Sequence, residues 1–298
     1  MNSPDTSSTP PSLDANALLR WRQRAPAHSP WLHEEVGRRM QERLQWIVKP
    51  PQSWIDWEPV RGGMAAHDLV QQRLPKSQSW LLHAQPAHSA LAKQRWHTSM
   101  LSRLGGAKAV QFQPPKHEVD MVWANMSLHL AADPPALIRQ WAQALHAQGF
   151  VMFSCFGPDT LVELRRLHAK MGWPAPAQEF TDMHDLGDML VAQGFAEPVM
   201  DMEHIRLQFP SAERAQQELR ELGRNLHVGR FTGLRGRQWH AQWLQAVQSL
   251  AGERGQLEFN FEIIYGHAFK APPKMKVSQE TAISLKDMRA ALHKSQGS

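Results

Sequence analysis

Residues 120–165 read DMVWANMSLHLAADPPALIRQWAQALHAQGFVMFSCFGPDTLVELR, and this stretch decides the fold. Asp120 to Asn125 is a short apolar run closed by an amide, which suits a strand. Ala132-Asp-Pro-Pro135 then opens a helix, with Asp133 as N-cap and the prolines in the first turn, where their missing N–H costs nothing. Ala136, Leu137, Trp141 and Leu145 recur at helical spacing. Gly149 ends that helix, and Phe150 to Phe156 is a continuous apolar run of strand length. Strand, helix and strand joined by short turns form a βαβ unit, which implies a parallel sheet with a right-handed crossover.

The flanks extend the alternation. Before the unit, Trp31 to Ile47 is a helix with one apolar stripe (Leu32, Val36, Met40, Leu44, Ile47). Pro50-Pro51 breaks it, Gln52 to Trp57 is the first strand, and Ala65 to Arg73 a helix. Ser79 to Ala84 and Ala107 to Phe112 supply the second and third strands. After the unit, Asp159 to Met171 is a helix capped by Asp159 or Thr160, and Trp173 to Pro176 a linker. Asp182 caps a helix to Gln193, closed by Gly194. Val199 to Phe209 alternates as a strand. Ser211–Leu222 and Gly236–Leu250 are helices around a loop at 225–237, and Leu257 to Phe269 closes the sheet as an antiparallel strand. The expectation is an α/β, Rossmann-like, mostly parallel seven-stranded sheet. Residues 1–24 are a disordered tail, 25–270 the domain, and 271–298 a basic tail with a short helix near Ile283, Met288 and Leu292.

Composition sets the limits. The 298 residues are 42% hydrophobic and 20% charged, which is the balance of an ordinary globular chain. No apolar run reaches membrane-spanning length, and the first residues lack a secretory leader's positive start and apolar core. One cysteine, Cys155, excludes an internal disulfide framework and fits a reducing cytoplasm. It lies in an apolar strand as a small hydrophobe. The net charge of +5 is spread along helices without any nucleic-acid-binding signature, and it equally suits an acidic protein partner. The sixteen histidines match no metal-ligand spacing, so no metal is expected. Phosphate-binding glycine loops and a serine-nucleophile elbow are absent as well.

A strand ending Asp120-x-x-x-x-Asn125, a helix, and a Gly-led apolar strand resemble the fourth and fifth strands of class I S-adenosylmethionine (AdoMet) methyltransferases. Asn125-Met-Ser-Leu-His129 and Phe156-Gly-Pro-Asp-Thr-Leu-x-Glu-Leu-Arg165 are similar to the biotin-pathway malonyl-acyl-carrier-protein O-methyltransferases, whose close relatives assist respiratory complex I assembly. Asp182 to Leu190 with Gly194-Phe195, Arg220 to Asn225, and Phe261 to His267 extend the likeness over about residues 25–270. It implies AdoMet as cofactor, an acyl carrier protein as partner, and a helical lid formed by segments near 157–181 and 211–251.

The resemblance also implies site residues. The cofactor loop of the family reads Asp-x-Gly-x-Gly-x-Gly; here Asp56 is followed by Glu58, Val60 and only then Gly62. His83 or Ala84 stands where the family's second strand carries a ribose-binding acid, and the residues after the third strand lack the acidic pair near the adenine. His28 is the nearest polar group in the 25–30 loop, where the family has a tyrosine. Asn125 and His129 sit at the carboxyl end of the fourth strand, where open α/β sheets bind ligands. The candidates are therefore His28, Asn125 and His129 for catalysis, and Asp56, Glu58, Gly62, His83 and Asn125 for the cofactor. Arg230, Arg235 and Arg237 in the lid loop are the candidates for substrate, because a guanidinium fork matches a carboxylate or phosphate. Tyr265 and His267 read as core or edge residues. Methylating a carboxylate needs alignment more than acid–base help, since the nucleophile is ionised at neutral pH. With bulky residues in the glycine loop, a binding or assembly role is favoured over methyl transfer. The alternatives are an active O-methyltransferase with an atypical loop and, as a minor reading, a basic nucleic-acid-binding module.

Overall fold

The structure is a computed structural model that describes residues 12–96 and 110–272. Six strands, β1 (Ser53–Trp57), β2 (Gln78–Leu82), β3 (Val119–Ala124), β4 (Leu145–Phe156), β5 (Phe195–Phe209) and β6 (Leu257–Lys270), form one sheet in the order β2-β1-β3-β4-β6-β5. β1 runs parallel to β2 and β3, and β3 parallel to β4. β6 is antiparallel to both β4 and β5, a reversed strand slotted between two parallel ones. Of the expected third strand, Ala107 to Ala109 lie outside the described residues. Gln111 forms a single parallel bridge to Trp80, its N–H donating to the Ser79 carbonyl at 3.0 Å. Six strands rather than seven are thus described. Pro114 and Pro115 follow closely and have no N–H to continue a ladder.

β4 explains why its sequence is apolar throughout. Phe150, Met152 and Phe156 pack on one face against Met40 of α2 (Trp31–Glu42), Trp123 and Phe261. Val151, Phe153 and Cys155 pack on the other against Trp141 of α6 (Pro134–Ala144) and Leu190 of α8 (Met183–Ala192). A strand covered on both faces needs no polar alternation. Burial pushes the Cys155 thiol pKa far up. Gly266 on β6 faces the Phe153 ring, where a Cβ would lie 2.2 Å away.

The remaining helices are α1 (Ala15–Arg24), α3 (Pro59–Gly62), α4 (Met64–Arg73), α5 (Pro86–Arg95), α7 (Val162–Lys170), α9 (Ala212–Leu222) and α10 (Arg237–Gln248). Several boundaries differ from the sequence reading. α2 stops at Glu42 and tightens into a 3₁₀ turn, Arg43–Trp46. α6 ends at Ala144, not at Gly149, because β4 starts at Leu145 and turns sharply at Gln148, whose φ is +72°. Gly149 is instead needed for close backbone approach: a Cβ there would meet the Val119 and Asp120 carbonyls at 3.0–3.1 Å. α7 begins at Val162, after Leu161 has taken φ +59°. The 1–24 segment is not wholly a tail, since α1 occupies residues 15–24, with Asp14 capping Ala17 N–H at 3.0 Å. Leu13, Ala17, Leu18 and Trp21 bury themselves against Leu226. Their apolar stripe is diluted by Arg20, Arg22 and Arg24, which hides it from a hydropathy reading. The short helix read near Ile283 lies outside the described residues. No described helix is long and apolar enough to cross a membrane.

Candidate functional site

At the carboxyl ends of β1, β2 and β3 the chain fills its own space. Asp56, on β1, is buried and accepts from His67 Nδ1 of α4 at 2.7 Å; desolvation raises its pKa, against the pull of that imidazole. Glu58 follows in the left-handed conformation, φ +60°. Its carboxylate crosses from β1 to β2 and accepts the Ala84 N–H at 2.6 Å, while burial raises its pKa. Val60 is fully buried, in a small cluster with Leu81 and Ala92. Gly62 is pressed against β3, since a Cβ there would lie 2.8 Å from the Asn125 carbonyl oxygen.

Asn125 is buried and spent on bracing. Its amide donates to the carbonyls of His33 (2.7 Å) and Gly62 (a shorter contact), and its carbonyl oxygen accepts from the Ser154 hydroxyl at 2.6 Å. It thereby ties α2, the β1 loop and β4 together. Arg61, in the same loop, reaches outward. Its guanidinium donates to the His28 carbonyl (2.8 Å) and to the last carbonyls of α9, Glu221 (2.8 Å) and Leu222 (3.2 Å). A cation at a helix C-terminus complements the helix dipole. Burial lowers the Arg61 pKa to about 10, so it stays charged at neutral pH. Its own carbonyl faces His33 Nδ1 at 2.8 Å, which places the proton on that nitrogen and leaves Nε2 as a buried lone pair without a partner. Desolvation holds His33 down to about 3.

Next to this region lies a cavity of about 440 Å³ under the lid, walled by His129, Phe156, Phe180, Arg235, Trp239 and Trp243 among others. Its floor is aromatic, with the His129 and Phe156 ring centroids 4.6 Å apart and those of Phe156 and Phe180 5.5 Å apart. Desolvation keeps His129 neutral, so it offers a hydrogen bond and no charge. Four arginines (Arg220, Arg224, Arg230, Arg235) contribute to the wall, and no Asp or Glu among the described residues does. The cavity therefore suits an apolar chain with an anionic or strongly polar end. A second hollow, about 1200 Å³, lies around Trp46, Val48 and Phe269 at the opposite end of the strands.

The candidate residues divide accordingly. The His28 side chain is exposed, and only its carbonyl takes part, as an acceptor for Arg61. Asp56, Glu58, Gly62 and Asn125 converge but are engaged with one another's elements. His83 stands half-buried beside His88, ring centroids 6.5 Å apart, with both its nitrogens lacking a partner and its pKa lowered by burial to about 4. Arg230 is locked to Asp14 at 2.7 Å. Arg235 stacks on Trp239 (3.8 Å) and Phe231 (4.3 Å). Arg237 is exposed, starts α10 and does not line the cavity. Tyr265 is buried and donates to Glu203. Among the described residues no three His, Cys, Asp or Glu side chains gather as a metal-ligand set. Sequence reasoning missed Arg61, which it passed over as a spacer between two motif positions, and the α1 residue Trp21, over whose ring both Arg61 and Arg224 sit (5.8 and 5.1 Å).

The strand order and the reversed β6 define the Rossmann-like fold of class I methyltransferases. The YcgJ protein of Bacillus subtilis shares this architecture, with a TM-score of 0.53 at 11% identity over 80% of this chain and 99% of that one. No family model matches. Within the class, the chain belongs to the malonyl-[acyl-carrier protein] O-methyltransferase family. The protein of that name from Gallionella capsiferriformans is 34% identical over 253 residues, 82% of this chain and 86% of that protein. The one from Laribacter hongkongensis is 33% identical over 258 residues, 83% and 86%.

Proposed function

We propose that this chain is a binding member of its family: it holds the thioester-borne acyl arm of an acidic acyl carrier protein in the lid cavity, leaves it covalently on the carrier, and does not use AdoMet. The observation that carries the reading is the Glu58 carboxylate bonded to Ala84 N–H across the carboxyl ends of β1 and β2. A cofactor cradled there needs backbone free to approach it and a carboxylate free to accept ribose hydroxyls. Glu58 puts a side chain in that gap and consumes its own carboxylate, Val60 adds a buried isopropyl group, and Asp56 is taken by His67. These residues do not fit AdoMet. The lid cavity, apolar within and arginine-rich around, is intact. The relatives are named for action on malonyl-[acyl-carrier protein], and this cavity suits such a thioester-borne acyl group. A protein with this role works in the cytoplasm, where acyl carriers reside.

Calorimetric titration with AdoMet and with S-adenosylhomocysteine tests the reading. The expected result is no heat up to millimolar ligand from a folded sample. Binding of about −8 kcal/mol, micromolar strength, would refute it and make the chain a methyltransferase with an unusual loop.

A further inference from the structure

The stretch 222–252 contains Arg224, Arg230, Arg235 and Arg237 and not one Asp or Glu, in a chain with 28 acidic residues. Its central loop also turns apolar side chains outward: Val228 is 54% exposed, Phe231 51% and Leu234 102%. Apolar residues grouped this way on a surface mark a contact face more often than chance exposure does.

The loop is held in place. Leu226 is buried, and its carbonyl accepts Asp14 N–H at 2.8 Å; the Ser12 carbonyl accepts Val228 N–H at 2.8 Å. Arg230 is clamped by Asp14 (2.7 Å) and the His227 carbonyl (3.0 Å). Arg235 is stacked between Phe231 and Trp239. The backbone is thus pinned from beneath while Val228, Phe231 and Leu234 stay in solvent. Phe231, Arg230 and Arg235 also line the lid cavity, so this face surrounds its mouth. Exposed Arg220, Arg224 and Arg237 flank it.

We propose that this lid face is the docking surface for the acidic helical surface of an acyl carrier protein. The three apolar side chains would take the partner's apolar face, and Arg220, Arg224 and Arg237 its carboxylates. Charge complementarity selects this occupant. A rim where Arg220, Arg224, Arg235 and Arg237 outweigh the carboxylates, Asp14 being paired with Arg230, disfavours basic partners, steers acidic ones at long range, and makes the encounter salt-dependent. The position at the cavity mouth lets an arm carried by the partner enter directly. The proposal rests on the carrier-binding reading above and adds where the carrier sits.

The test is fluorescence anisotropy of a labelled, purified bacterial acyl carrier protein titrated with the full chain. The apo carrier, which has no arm, reports the surface alone; the malonyl-loaded carrier reports surface and cavity together. The apo carrier should bind at about 50 mM salt and weaken at least tenfold at about 300 mM. Leu234→Asp and Arg237→Glu should each weaken it about tenfold or more, while Val191→Asp on the distant helix α8 should not. Leu234 is fully exposed, so its replacement leaves folding intact. Absence of binding at low salt, or binding indifferent to Leu234→Asp and Arg237→Glu, would overturn the proposal. If the apo carrier docks through the loop and the malonyl arm adds no affinity, the docking face stands and the cavity reading falls.

Discussion

Replacing Arg61 with alanine should loosen the lid without unfolding the sheet. The guanidinium makes three hydrogen bonds to carbonyls, of which those to Glu221 and Leu222 fasten the end of α9 and that to His28 fastens the loop before α2. A bond from a charged donor contributes roughly 1.5–3 kcal/mol when it stays dry. The freed α9 carbonyls lie at a helix end and can take water once the lid lifts, so the net loss is roughly 2–3 kcal/mol rather than the sum. At about 1.4 kcal/mol per tenfold, that raises the population of the opened lid roughly 30- to 150-fold. Hydrogen exchange read by mass spectrometry on peptides covering 212–231 measures this directly. β3 and β4 serve as the internal control, since their amides open only with the whole domain. Arg61→Lys should fall between, because one ammonium cannot span three carbonyls. Unchanged lid exchange in a folded Arg61→Ala sample would refute the reasoning; the lid would then be held by α1 and the Arg230–Asp14 pair alone.

The left-handed backbone at Glu58 makes a second, paired prediction. Both Glu58→Ala and Glu58→Gly lose the Ala84 bond, but glycine also relieves the positive φ, so the glycine variant should be more stable by about 1 kcal/mol in urea unfolding. Equal stabilities would place the loop outside the left-handed region. His33 gives the pH dependence. Its pKa falls from 6.5 unfolded to about 3 folded. Above pH 6.5 both states are neutral there and the full stability is present. As the pH drops below that value the unfolded chain takes up a proton that the folded chain refuses, and stability falls by roughly 1.4 kcal/mol per pH unit. His33→Gln should flatten the slope between about pH 6 and 4; an unaltered slope would show that His33 is protonated in the fold.

The architecture was largely legible because βαβ units write themselves in period and punctuation. Asp133 and Asp182 cap where they were expected to, accepting from Ala136 and His184 N–H at 2.8 Å. Phe150–Phe156 is continuous because both faces of β4 are covered. Of the third strand expected over 107–112, the described part pairs with β2 through Gln111 alone, and the prolines that follow cannot extend that ladder. α1 leaves little trace in the sequence because it buries one narrow stripe of only three residues, Ala17, Leu18 and Trp21, and its arginines mask them. The site was harder. Glu58, Val60 and Gly62 follow β1 directly, but Pro59–Gly62 forms the short helix α3 rather than the expected loop, and which partner each side chain chooses is a tertiary outcome. Asn125 sits at the carboxyl end of its strand as expected, yet its amide is consumed by His33 and Gly62 carbonyls that no spacing rule connects to it. Arg61 acts over 160 residues of chain separation, which no local pattern reveals.

Cys155 gives the molecule an experimental convenience. The chain's single thiol sits at the carboxyl end of β4, opposite Ile264, with its acidity suppressed by burial. Thiolate reagents should therefore pass the native protein by, and the wild-type sequence serves as its own cysteine-free background. One cysteine introduced on the lid face becomes a unique attachment point for a dye or spin label. In the unlabelled protein, slow modification of Cys155 becomes a clock for opening around the end of β4, where Leu13, Glu179 and Phe180 close over it.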